Sequence, residues 1–300
     1  MRELLEIRVR TANAERYLPP SAGVDVGYGI LKVVIPTDSE LFEEVGRLSR
    51  AFRSEGDYFF SGWQYHRKYS RQELEDAELF YFWPKRTFEP EGEACGTIYD
   101  ESSACKHVFS PEYESVICGH RVKHGADTCS AGARQISPLF LRGRSIPRKV
   151  DIARTIAGEI VVSARAVAVF RETGLIGGSF DPVRFANRAG SPSQDHFQLT
   201  VCEPFIEIDP ATRFGTKPFS DEGHGQCPFG HILGLNLLSE VTVTRASLTD
   251  ADIMATKQLV GVRRGVLRPR PLLLMSPRAW RAIQAAKLKG FGFEVAYIAP

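Results

Sequence analysis

A shift of 113 residues superposes two stretches of this chain without a gap: Ile160, Val161, Val162 and Ser163 fall on Leu273, Leu274, Met275 and Ser276. Arg165 then falls on Arg278, Ala166 on Ala279, Leu175 on Leu288, Gly177 on Gly290, Phe180 on Phe293 and Asp181 on Glu294. Each coincidence has a physical reason. An apolar run enters as a strand, and the serine hydroxyl caps the first free amides of a helix. Pro277 stands in the first helical turn, where a missing N–H does no harm. Val167 and Phe170, and in the second copy Trp280 and Ile283, form the apolar helix face. Glycine follows the helix, and a second strand leaves through Phe180 or through residues 293–297. Upstream, "VDIARTI" (150–156) matches "ADIMATK" (251–257), and "CSAG" (129–132) matches "CPFG" (227–230). Two units, about 129–185 and 227–298, indicate a duplication.

The rest of the chain is organised around these units. Residues 3–10 and 24–36 carry the alternation of strands, separated by the turn-rich "LPPSAG", and are expected to form an edge hairpin. Leu41, Val45, Leu48 and Phe52 recur at helical spacing behind Asp38 and Ser39, with Gly56 as a stop. Ser70 and Glu73 form a capping box before a short helix, and "DYFFSGW" and "FYFWP" (80–84) read as strands. From about residue 89 to 134 periodicity fails, and four of the six cysteines crowd in. The expected fold is α+β, with mixed and antiparallel sheets, a duplicated strand-helix-strand unit and a Cys-rich insertion. Its parts are a sheet-and-helix portion (1–92), the Cys/His-rich insertion (93–134) and a duplicated domain (135–300).

Composition narrows the setting. With 43% apolar and 25% charged residues in 300, the chain can bury about three quarters of its unfolded surface in one or two domains. No apolar run is long enough to span a bilayer, and "MRELLEIRVR" alternates charged with apolar residues, unlike a secretory signal. The expected location is the cytoplasm, where Cys95, Cys105, Cys118, Cys129, Cys202 and Cys227 are free thiols or metal ligands and not disulfides. The formal charge of +2 conceals a polarity. Residues 71–101 hold nine acidic against three basic side chains, and residues 251–300 nine basic against two acidic.

The Cys-x-x-Gly turns, followed by "EIVVSARAVAVFRETGLIGGSFDPV" and "LLLMSPRAWRAIQAAKLKGFGFEVAYI", resemble the double-CxxCG motif proteins of myxobacteria, some of which are immunity proteins against toxins exchanged between cells. The resemblance covers the C-terminal half from Cys129, and less firmly "EACGTIYDESSAC" (93–105). It implies a binding protein with no catalytic residues. The family pattern has two cysteines per motif, and "CSAG" and "CPFG" each keep one.

Read from the residues themselves, Cys95, Cys105 and Cys129 are the leading ligands of a structural zinc, with Cys118, His107 or Cys227 as the fourth, since a segment without a core gains folding energy from a metal. Cys227 and His231 in "CPFGH" are read as a turn and its flank, not as a nucleophile pair, because catalytic pairs meet in space. Asp151 and Asp252 are read as caps or loop anchors in preference to paired catalytic carboxylates. Arg263, Arg264, Arg268 and Arg270 lie on a Gly- and Pro-containing loop suited to an acidic partner surface or to phosphates. No helix-turn-helix, finger or RNA-binding signature accompanies them. The expected task is to neutralise a cognate toxin or effector protein by occlusion, with polarised charge speeding the encounter. A zinc-supported nucleic-acid-binding or regulatory protein is the second expectation.

Overall fold

The computed structural model describes residues 1–92, 94–117, 120–186, 190–201, 205–215, 217–219, 225–234 and 236–300. Five α-helices and a set of mixed and antiparallel sheets among these residues make the fold α+β. No helix among them is long and apolar enough to cross a membrane.

Alternation in the strand Arg2–Arg10 buries Leu5, Ile7 and Val9. Ile35 and Val33 stand opposite Leu5 and Ile7 in the antiparallel strand Ile30–Pro36. The helix Glu40–Ser54 closes this core with Val45 and Leu48. The two strands are not an edge hairpin. Arg2–Arg10 is interior, with Phe60–Lys68 on its other side, and the connection holds a helix, Thr11–Tyr17, and a short strand, Gly23–Asp25. Ala14 and Leu18 account for the difference, because they drop into the same core and fold the connection onto the sheet. The capping box is present: the Ser70 hydroxyl accepts from the Glu73 amide, and Glu73 accepts from the Ser70 amide.

The 1–92 portion does not end at its own sheet. The strand Leu79–Pro84 lies between Arg270–Met275 and Phe291–Ala299, antiparallel to both, in the middle of a five-stranded sheet. Both faces of that strand are covered, so "LFYFWP" is apolar throughout. Arg67 links the sheets from its buried position, donating to Glu3 at 2.8 Å and to Glu294 at 3.1 Å.

The two units have the same element order. The first runs Ile152–Thr155, Ile160–Ser163, helix Ala164–Glu172 and Gly178–Phe185, in a six-stranded sheet. The second runs Ile253–Val260, Arg270–Met275, helix Pro277–Ala285 and Phe291–Ala299. Each is thus a hairpin, a helix and a strand, one strand more than expected. Asp252 follows Asp151 by 101 residues and Ser276 follows Ser163 by 113. The difference of twelve is the extra length of the second hairpin, whose loop carries the arginines. Both helices are capped by their serines, from the Ala166 and Ala279 amides at 3.1 Å.

Asp151 and Asp252 lock the units to each other. Asp151 accepts from Ser163 at 2.9 Å and from the Lys289 amide at 2.8 Å, and its own amide donates to the Lys289 carbonyl. Asp252 accepts from Ser276 at 2.6 Å and from the Ile176 amide at 3.1 Å, and its amide donates to the Ile176 carbonyl. Arg165 and Arg278 complete the match, pairing with Asp151 and Asp252 and reaching the Ala286 and Gly174 carbonyls of the opposite unit. The aspartates are loop anchors, as one of the two sequence readings had it. Phe170, Ile283, Ile152, Ile253, Phe82 and Phe291 fill the shared core between the helices and the sheets.

Candidate metal centre

Three segments distant in sequence meet beside the five-stranded sheet. Cys105 and Cys129 are brought together by backbone pairing: the Cys105 amide donates to the Ala131 carbonyl at 2.9 Å, and the Ser130 amide to the Cys105 carbonyl at 3.0 Å. The turn holding Cys227 and His231 closes on itself, with the Cys227 amide on the His231 carbonyl and the Gly230 amide on the Cys227 carbonyl. A parallel bridge from Ile232 to Val260 fixes that turn to the second unit. Gly132 and Gly230 take positive φ, which explains the glycine in both Cys-x-x-Gly turns.

The Sγ atoms of Cys105, Cys129 and Cys227 and one ring nitrogen of His231 all lie within 4.8 Å of one another. His231 Nδ1 is 3.4 Å from the Cys129 sulfur and 3.3 Å from that of Cys227. The edges of a tetrahedron with ordinary zinc–sulfur and zinc–nitrogen bonds are about 3.4–3.8 Å, so the cluster has the size of a metal's ligand shell. These four side chains can hold one metal ion. Cys129 and Cys227 are buried, with Ala131, Leu233 and Val262 packed around them. Burial pushes the Cys129 thiol up to about 12. At Cys227 burial acts the same way but is outweighed by the Phe229 and His231 amides and by thiol hydrogen bonds from Cys129 and Cys105, which hold it below the ordinary thiol value.

The expected ligand set is corrected in two places. Cys95 is elsewhere: its thiol is 3.1 Å from the Glu91 carbonyl, and Gly96 pairs with Phe140. His107 donates no ligand atom to the cluster but lines the cleft of about 1070 Å³ beside it, with Lys106, Glu207 and Lys257. Cys118 lies outside the described residues. His231, set aside as a flank, faces the sulfurs. Its only signal was the Cys-x-x-x-His spacing of "CPFGH".

The arginine loop is corrected as well. Arg263 and Arg268 both pair with Glu101 at 2.6 Å, Arg268 also lies 4.4 Å over the Tyr99 ring, and Arg264 pairs with the buried Asp127 at 2.6 Å. A backbone bridge between Thr128 and Arg263 runs alongside. The loop clamps the Cys-rich segment onto the second unit, next to the Cys/His cluster. The basic surplus of the C-terminal region is answered in part by Glu101 and Asp127. Arg270 is not part of this clamp and lines a different cleft.

Comparison of the chain with protein-family models and with curated proteins gives no match.

Proposed function

We propose that the protein is a non-catalytic binding factor of the immunity or antitoxin kind, neutralising a cognate toxin by occlusion, with one structural zinc held by Cys105, Cys129, Cys227 and His231. The observation that carries this reading is the completeness of the donor set. Three thiols and an imidazole already fill four-coordinate zinc, whereas a catalytic zinc keeps one position for water or substrate. The metal then acts by joining the Cys-rich segment to the second unit, and the surface does the work. The resemblance to double-CxxCG motif proteins supports the same assignment.

With Arg263, Arg264 and Arg268 engaged inside the chain, the partner-facing charge moves to a polar cleft of about 930 Å³ lined by Arg142, Arg144, Arg148, Arg165 and Phe185. Arg144 pairs there with an exposed Glu91, a contact worth little in water, and Arg165 is held by Asp151, so Arg142, Arg144 and Arg148, beside the cleft's Asp195, are the cations offered to an acidic protein surface. The same arginines favour a second reading, a zinc-supported nucleic-acid-binding protein.

The test is a search of the adjoining open reading frames for a product toxic on its own and co-expression of the chain with it, together with elemental analysis. Rescue of growth, one zinc per chain, and loss of rescue in an Arg144→Glu/Arg148→Glu variant are expected. Failure to rescue, combined with a steep salt dependence of binding to bulk DNA or RNA, would transfer the assignment to the second reading.

A further inference from the structure

A separate cleft of about 520 Å³ opens where the N-terminal sheet, the five-stranded sheet and the hairpin of the first unit meet. The strand Leu79–Pro84 lends it Tyr81 and Trp83, whose rings stack 5.2 Å apart at 30°. Gly292 stands opposite Trp83 in the neighbouring strand, and any Cβ there would run into the indole. The indole therefore lies over the strand as a flat wall.

Three arginines line the same cleft, and they differ in one respect. Arg67 is neutralised by Glu3 and Glu294. Arg154 donates to the Thr87 hydroxyl at 2.9 Å; among the described residues the Arg270 guanidinium has no hydrogen bond and neither arginine has an ion pair. Glu159 is close enough to be felt by Arg270 but forms no ion pair with it among the described residues, and accepts from the Thr97 and Thr155 hydroxyls. Arg270 is pressed against Gly158, where a Cβ would lie 2.6 Å from its Nη1. Burial, and next the charge of Arg154, push the Arg270 guanidinium down to about 10. The Tyr81 hydroxyl, also without a partner among the described residues, is a third donor in the same cleft.

Two guanidinium groups lining one half-buried cleft repel unless an anion lies between them. Arginine's planar fork matches the oxygens of a phosphoryl group, and an aromatic wall beside it takes a flat ring. We propose that this cleft binds a phosphate monoester carried on a planar ring, of the nucleoside 5′-monophosphate class, with Arg154, Arg270 and the Tyr81 hydroxyl on the phosphoryl group and Trp83 against the ring. The site lies apart from the metal centre and stands whether or not the protein neutralises a toxin.

The probes are adenosine and guanosine 5′-monophosphate, inorganic phosphate and adenosine, titrated into the full chain by calorimetry and tryptophan fluorescence. Saturable binding of at least one monophosphate is expected, with inorganic phosphate and adenosine each weaker by at least about tenfold. Arg154→Gln and Arg270→Gln should each weaken the monophosphate by at least about tenfold while melting at or above the parent's temperature, since each relieves a like-charge repulsion. Absence of saturable binding by both monophosphates in the millimolar range overturns the proposal. So does affinity unchanged in both variants, inorganic phosphate binding as tightly as the monophosphates, or a melting loss of several degrees in both variants, which would make the pair a brace of the fold.

Discussion

Replacement of Cys129 by serine is expected to abolish zinc binding by the purified chain and to lower its melting temperature by about 8–16 °C. Cys129 is fully buried, and its thiol is one of four donors around a single point. Serine offers a harder oxygen that is not ionised at neutral pH, and three donors remain. Because the ligands come from segments separated by up to 126 residues, between Cys105 and His231, the unfolded chain has no such site, and binding energy becomes folding energy. A loss on the order of 4 kcal/mol, at the roughly 2–4 °C per kcal/mol of a chain this long, gives the stated range. Chelator should bring the parent protein down to the melting temperature of the variant and leave the variant unchanged, since the two perturbations remove the same interaction. Cys95→Ser is the control. Its thiol touches only a carbonyl, so its effect should stay within about 0.5 kcal/mol with full zinc content. Elemental analysis and thermal melts decide the matter. A Cys129→Ser protein that retains one zinc, or a Cys95→Ser protein that loses it, would show that the ligand set is wrong.

How far such a site can be read from sequence depends on whether the determining interaction is local. The serine caps, the Ser70 box and the glycines after the two helices are set within a few residues, and they are legible. The strand at residues 79–84 is legible as a strand, but its two neighbours come from residues 270–299, and no short-range pattern announces them. Three of the four candidate metal donors are legible in the sequence because thiols are scarce and chemically distinctive. His231 was missed because a histidine four residues beyond a cysteine has the same spacing whether or not it faces a second pair of thiols. Cys95 was misplaced for the complementary reason: it shares a stretch with Cys105, but its backbone turns toward Phe140 instead. The arginine loop shows the same limit. An acidic stretch (71–101) and a basic stretch (251–300) look like a polarised surface, and in the fold Glu101 of the one and Asp127, beyond it, are the partners of Arg263, Arg268 and Arg264.

The cross-lock between the two units makes the second large effect. Gly177 and Gly290 should tolerate no side chain, and Gly174, three residues before the first of them, should. Gly177 has φ +102° and Gly290 φ +98°, values that L side chains rarely adopt. A Cβ on Gly177 would run into the Ile253 carbonyl oxygen, and one on Gly290 would stand 2.5 Å from the Ile152 carbonyl oxygen. Neither oxygen can withdraw, because it belongs to the strand that follows Asp252 or Asp151, and those aspartates are fastened to Ile176 and Lys289, next to the glycines. Strain and collision together should cost about 2–5 kcal/mol for Gly177→Ala and likewise for Gly290→Ala. Gly174 also has a positive φ, +66°, but a Cβ there meets nothing within 4 Å. Gly174→Ala should therefore carry only the left-handed penalty, about 1–2 kcal/mol. Urea unfolding of the three variants measures the contrast. The double variant Gly177→Ala/Gly290→Ala should lose less than the sum of the single losses, because either substitution forces open the interface that both glycines serve. Full additivity, or a Gly174→Ala loss equal to the other two, would mean that the two units do not depend on each other through this contact.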